Sequence, residues 1–148
     1  MRLKLVLTCG IVILALSVLG CSQQAGLEYM KDATVERTCE GFRQNPHDRG
    51  DVVLGVDGTL IVILCSNPTT GFQWMELPQI SDTSVLRQES HEFTSLGGNG
   101  TVGASGKDVW TFRTLKKGTS SISFEYSRSW EGGEKGEWAF DLEVQVRE

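Results

Sequence analysis

The chain has 148 residues and carries 14 basic against 19 acidic side chains, a formal net charge of −5 at pH 7. This length is enough for one domain with one hydrophobic core. Lysine and arginine form no basic patch, so the composition argues against nucleic acid as a partner.

The first 20 residues predict an export signal. Arg2 and Lys4 precede an apolar core that extends to Leu19, and this core is too short and wrongly flanked for a stable membrane span. The ending "VLGC" resembles the bacterial lipobox, which implies cleavage before Cys21 and a lipid, including palmitate, on its sulfur. Several acyl chains on one residue would anchor the protein firmly. The alternative is an ordinary signal peptide that happens to carry a cysteine.

The residue after the lipobox cysteine bears on localisation. Ser22 follows Cys21 directly, whereas an aspartate would stand there in the pattern that retains lipoproteins at an inner membrane. We therefore expect an exported lipoprotein of the cell envelope. An outer membrane or periplasmic face is favoured over the inner membrane.

Cleavage would leave residues 21–148, with 12 basic and 19 acidic side chains and a formal charge of −7. Residues 21–49 are polar and show no sustained period, which predicts a lipidated N-terminus and tether with at most a short edge strand near Thr34–Thr38. Residues 50–148 are predicted to form a single domain, and we expect a monomer.

Cysteine usage is consistent with export. Cys9 leaves with the signal and Cys21 takes lipid, so Cys39 and Cys65 remain. An even pair in an oxidising compartment predicts a disulfide, which would pin the tether to the end of an apolar strand. The alternative is two unlinked thiols, with Cys65 buried as a small hydrophobe.

The remaining chain predicts an all-β fold. The runs "GTLIVILC", "DVWTFRTL" and "SSISFEYS" are short and rich in branched or aromatic residues, and residues 138–147 alternate strictly between apolar and polar side chains. Glycine-rich turns separate these segments, and no part of the domain has helical periodicity. The pattern predicts an immunoglobulin-like antiparallel β-sandwich of about seven to eight strands.

The motifs of common catalytic sites are incomplete. The run "GNGTVG" at residues 98–103 leads into a strand, without the βαβ unit that a dinucleotide site needs. The run "GASGK" ends in Lys107 where a nucleophile elbow has glycine. His47 and His91 are predicted to be exposed bystanders, and no cysteine and histidine spacing suits zinc. We predict no enzyme activity, cofactor or metal.

The stretch "NPTTGF" at residues 67–72 combines several backbone restrictions. Pro68 has a fixed φ and pushes Asn67 towards extended geometry. The two threonines are stiff at χ1, and Gly71 can take a positive φ where the chain reverses. These restrictions predict a loop that holds one shape.

Two further segments are unusual. Residues 94–106 are rich in glycine, and residues 128–137 place Trp130 at the start of another glycine-rich turn. In the strand order of an immunoglobulin-like fold, these two connections and residues 67–72 emerge at the same end of the sandwich. Loops grouped on a rigid scaffold usually serve recognition.

Over residues 50–146 the chain resembles the chagasin-type inhibitors of papain-like cysteine proteases. The stretch "NPTTGF" matches the family's first motif fully. The second motif departs from Gly-x-Gly-Gly by one serine and consists of Gly103, Ala104, Ser105 and Gly106. The third lacks the family's central proline and consists of Arg128, Ser129 and Trp130.

The resemblance implies a reversible, tight-binding inhibitor with a papain-like cysteine protease as its partner. Its protease-binding loop would consist of Asn67, Pro68, Thr69, Thr70, Gly71 and Phe72. This loop would enter the cleft that holds the thiolate–imidazolium pair, with Thr69 and Thr70 nearest to the cysteine and no covalent bond formed. Flanking loops would straddle the cleft, with Trp130 as an anchor.

Two other classes of protein remain open from the sequence. One is a lipid-anchored immunoglobulin-like binding module for an envelope or peptide ligand, without inhibitory activity. The other is a structural lipoprotein without a specific ligand. Inhibition of papain would discriminate between these classes and the inhibitor.

Overall fold

The computed structural model describes residues 29–96 and 105–148, which form two sheets packed face to face. The elements are β1 (Asp32–Arg37), α1 (Cys39–Gln44), β2 (His47–Gly55), β3 (Thr59–Ser66), β4 (Phe72–Trp74), β5 (Gln79–Ile80), β6 (Leu86–Ser95), β7 (Gly106–Thr114), β8 (Gly118–Arg128) and β9 (Trp138–Arg147). The first sheet has the order β1-β3-β7-β6. The second has the order β2-β9-β8-β4, with β5 also paired to β8.

The predicted all-β, immunoglobulin-like sandwich is confirmed, with a correction to strand direction. Strand β1 pairs with β3 in parallel, and β2 pairs with β9 in parallel, so both sheets are mixed. The other pairs are antiparallel. The described part of the chain contains nine strands rather than seven or eight, because the N-terminal segment adds β1 and the chain between β3 and β6 forms two short pieces, β4 and β5.

The described part of residues 21–49 is folded into the sandwich, in contrast to the expected tether. The expected edge strand near Thr34–Thr38 is β1, which extends along β3 over six residue pairs. Helix α1 then crosses from the first sheet to the second, and β2 continues along β9. Ala33 and Val35 of β1 pack against the core, which is why this polar-looking segment is held.

The core lies between the sheets and follows the predicted alternation. Strand β7 buries every second residue, as do most of β8 and β9. Trp110 packs edge-on against Phe124 with ring centroids 4.8 Å apart, and Phe124 lies 6.1 Å from Phe140. Fully burying one such large apolar side chain contributes roughly 1.5–3 kcal/mol.

No helix within residues 29–96 and 105–148 has the length and hydrophobicity to cross a membrane.

Candidate functional site

Two loops and the described ends of a third lie together at one end of the sandwich. Loop 1 (residues 67–71) connects β3 to β4, loop 2 (residues 96–105) connects β6 to β7, and loop 3 (residues 129–137) connects β8 to β9. The register fixes their position, because Ser66 and Ser95 both pair with Gly106, and Phe72 pairs with Arg128. Loop 1 therefore crosses from one sheet to the other, between the described ends of loop 2 and the start of loop 3.

A disulfide fixes the chain just before loop 1. Cys39, the first residue of α1, is bonded to Cys65 near the end of β3, with the Cα atoms 5.2 Å apart. This confirms the predicted disulfide over the alternative of two unlinked thiols. Phe42 of α1 is 1% exposed and stacks on Trp138 at 5.2 Å, so the helix is held by packing as well as by the bond. Helix α1 thus closes one side of the loop end.

Hydrogen bonds within loop 1 hold it in one shape. The Tyr126 hydroxyl accepts the Asn67 N–H at 2.9 Å, and the Asn67 carbonyl accepts the Thr70 N–H at 3.1 Å and the Thr70 hydroxyl at 2.7 Å. The Thr69 hydroxyl donates to Asn67 Oδ1 at 2.6 Å. The loop forms a single 3₁₀ turn over Pro68–Thr70, whose three residues are all exposed. The two threonine hydroxyls are occupied by these bonds, while the tip residues themselves remain exposed to a partner.

Loop 3 supports loop 1 through an aromatic contact. Gly71 has a φ of +81°, and an ideal Cβ built on it would lie 2.7 Å from Cη2 of Trp130. Only glycine therefore satisfies both the left-handed backbone and the close approach of the indole ring. Trp130 remains 52% exposed, so one part of the ring packs on loop 1 and the rest faces solvent.

Arg128 joins loop 1 to loop 3. Its Cζ atom lies 4.4 Å from the centroid of the Phe72 ring and 5.6 Å from that of Trp130. Cation–π contacts of this kind contribute about 0.5–1 kcal/mol at exposed sites. Glu134 lies 3.8 Å from the guanidinium, although an ion pair this exposed contributes little. Ser129 is exposed beside this stack.

Loop 2 is described only at its ends. Gly103 and Ala104 lie outside the described residues. Ser105 is half-buried, and its carbonyl accepts the Leu96 N–H at 3.1 Å. Gly106 is buried under the Phe93 ring, where an ideal Cβ would lie 2.5 Å from the ring atoms. Gly106 therefore leaves room for the Phe93 ring at the start of β7.

Loop 1 forms a ridge between two depressions. The depression on the α1 side, of about 600 Å³, includes Arg43, Thr70 and Arg128 in its lining, with Phe72 and Trp138 as aromatic walls. On the opposite side, a cavity of about 390 Å³ opens between the edge strands β4 and β6. An exposed ridge with a recess on each side has a shape that can enter a cleft. The two walls of the cleft would then lie in the two recesses.

Comparison with known proteins decides the family. The sequence profile described as "Chagasin family peptidase inhibitor I42" matches residues 53–144. The chain belongs to the chagasin family of peptidase inhibitors. Members of this family are inhibitors rather than enzymes, in agreement with the predicted lack of enzyme activity. None of the curated proteins compared with the chain matches it.

Solved structures share the fold of this chagasin-family chain. The cysteine protease inhibitor EhICP2 from Entamoeba histolytica is 22% identical with a TM-score of 0.60, and the match covers 78% of this chain and 97% of that protein. PbICP-C, solved in complex with falcipain-2, is 13% identical with a TM-score of 0.56 over 79% of this chain and 99% of that one. At these identities the likeness establishes the sandwich fold.

The sequence analysis of this chagasin-family chain missed one histidine–aspartate pair. His91 was expected to be an exposed bystander, but it is mostly buried, and its Nε2 lies 2.6 Å from Oδ1 of the buried Asp108. Its ring also stacks on Trp110 at 4.6 Å. The signal was present in the alternation of β7, which puts Asp108 on the core-facing side with Trp110. The expectation was wrong because β6 pairs His91 opposite Trp110.

Proposed function

We propose that this chagasin-family chain inhibits papain-like cysteine proteases reversibly and tightly by placing loop 1 over the active-site cysteine. The observation that carries the proposal is the preformed ridge of loop 1, exposed at its tip and braced on both sides. The similar fold of EhICP2, a cysteine protease inhibitor, and of PbICP-C, which binds falcipain-2, supports a protease of this class as the partner.

The shape of loop 1 favours occlusion over cleavage. A papain-like protease attacks a substrate carbonyl with a thiolate paired to an imidazolium. Loop 1 instead turns through Pro68–Thr70, and its Asn67 carbonyl is engaged by Thr70. Thr69 and Thr70 would cover the catalytic cysteine while no peptide bond is held extended for attack.

Preorganisation accounts for tight binding without a covalent bond. Ordering a side chain on binding costs about 0.5–1.5 kcal/mol. Asn67, Thr69 and Thr70 are already ordered by mutual hydrogen bonds. If each avoids about 1 kcal/mol, the saving of about 3 kcal/mol corresponds to about a hundred-fold in Kd.

The flanking loops add area around the ridge. Trp130 is half exposed beside loop 1, and tryptophan is among the residues enriched at binding hot spots. Ser129 replaces the proline of the family motif and leaves this segment less restricted, although the contact between Trp130 and Gly71 restrains it from the other side. We place Trp130 against one wall of the protease cleft.

Cellular location is part of the proposal. The lipobox and Cys21 lie outside the described residues, and lipidation there would tether the inhibitor to the envelope. Strand β1 starts at Asp32, with ten residues between it and Cys21 in the sequence. We propose a monomeric lipoprotein on an outer membrane or periplasmic face, which mass spectrometry of the purified protein would test through the acyl mass on Cys21.

Titration of papain with the purified protein tests the inhibitor function. We expect competitive, reversible inhibition at submicromolar concentration, weakened by Thr69→Ala combined with Thr70→Ala and by Trp130→Ala. Thr119→Ala is the matched control, because Thr119 is an exposed threonine at the far end of β8. Failure to inhibit several papain-like enzymes would contradict the proposal and favour a non-inhibitory binding module.

A further inference from the structure

The cavity on the open side of the loop 1 ridge has its own chemistry. It lies between the edge strands β4 and β6, and its rim includes Pro68 of loop 1 and Ser129 of loop 3. Its volume of about 390 Å³ falls in the range of sites that hold small ligands or side chains. We call it the acidic cavity, because Glu76, Asp108 and Glu125 line it.

The acidic cavity also contains an unsatisfied hydroxyl. Ser66, the last residue of β3, lines the cavity and is 0% exposed. Its Oγ has no hydrogen-bond partner among residues 29–96 and 105–148. A buried polar group without a partner costs free energy in the unbound protein, so it marks a place where a ligand group can bind favourably.

The negative charge of the residues that line the cavity favours a cationic ligand group. His91 is the one residue among the described lining that can carry positive charge, and it is paired with Asp108. Glu76 and Glu125 have no cationic partner among the ion pairs of the described residues. An anion would be repelled, and the described residues contain no group of three or more side chains arranged to hold a metal ion.

We propose that the acidic cavity receives a lysine or arginine side chain from the wall of the bound protease. This inference rests on the proposed function, because the cavity opens directly beside the ridge that would enter the cleft. A basic side chain there would pair with the cavity carboxylates, and this charge complementarity would help to select the target protease. Ser66 would accept one of its hydrogen bonds.

The free protein is tested first, with n-butylammonium as the probe and uncharged n-butanol as the control. We expect saturable ¹⁵N–¹H shift changes at Ser66, Asp108 and Glu125 with n-butylammonium only. Glu125→Gln should weaken this binding about five-fold, and Ser66→Ala also about five-fold with no loss of thermal stability. Glu143→Gln, an exposed change on β9 outside the cavity, should leave it unchanged.

The complex with papain is tested second. We expect the n-butylammonium response at the cavity to disappear in the complex, because a protease side chain fills the site. A cavity that still binds the probe in the complex overturns the inference, as does an equal response to n-butanol.

The two proposals fail in different ways. A chain that inhibits papain but shows no saturable response to n-butylammonium overturns this inference alone. A chain that binds the probe but inhibits no papain-like protease overturns the proposed function, and with it the protease as source of the cation.

Discussion

Replacing Gly71 by alanine tests whether the contact with Trp130 fixes loop 1. The backbone at Gly71 has a φ of +81°, and an alanine there costs about 1–2 kcal/mol in backbone strain. Its Cβ would also lie 2.7 Å from Trp130 Cη2, so the indole must move away. Gly132 in loop 3 has a similar φ of +75° but nothing within 4 Å of an added Cβ. Gly132→Ala therefore introduces the strain without the clash.

We expect both alanine variants to lose about 1–2 kcal/mol of unfolding free energy from strain, with a further loss of about 1 kcal/mol for Gly71→Ala. Urea denaturation measures these losses. Combining Gly71→Ala with Trp130→Ala should remove the extra loss, because no ring is left to clash. Papain inhibition should weaken about ten-fold or more for Gly71→Ala alone, equivalent to about 1.4 kcal/mol, and stay unchanged for Gly132→Ala. Equal stability losses for the two single variants, with no coupling to Trp130, would refute the reasoning.

Three further outcomes are expected. Replacing Cys39 and Cys65 by serine opens a loop with a sequence separation of 26, so the unfolding free energy in urea should fall by about 3.5 kcal/mol. An unchanged value would show that the bond does not constrain the unfolded chain. Phe42→Ala should lower the unfolding free energy by about 3–5 kcal/mol, because the Phe42 ring is buried and stacks on Trp138. A loss below about 1 kcal/mol would contradict that packing. Burial is the largest single influence on Asp48 and opposes its ionisation. The hydrogen bonds from the Arg37 guanidinium, the Arg49 N–H and the Asn45 amide, with the positive charge of Arg37, together outweigh burial and leave the pKa of Asp48 lowered. The ionised carboxylate therefore stabilises the fold at a pH above its ordinary pKa and loses this effect on acidification. The difference in unfolding free energy between wild type and Asp48→Asn should shrink to zero as the pH falls from about 4 towards 2. A difference that does not change with pH would rule out the Asp48 carboxylate as its source.

The sequence by itself determined the features that depend on neighbouring residues. The alternation of apolar and polar side chains specified the faces of β7, β8 and β9, because a strand exposes successive residues on opposite sides. The restrictions on Asn67, Pro68 and Gly71 likewise act within a few bonds of one another. The stiff loop and its family motif could therefore be predicted without a structure.

Only the tertiary structure decided the features that depend on distant pairings. Local pattern predicted only a short edge strand near Thr34–Thr38, whereas α1, the start of β2 and the strand partners of this segment depend on the edges that β3 and β9 offer. The contact of Trp130 with Gly71 and the pairing of His91 with Asp108 arise from strand register across the sheets. Register is set by the burial of whole faces at once. The ridge and its two recesses consequently exist only once both sheets have closed around a common core.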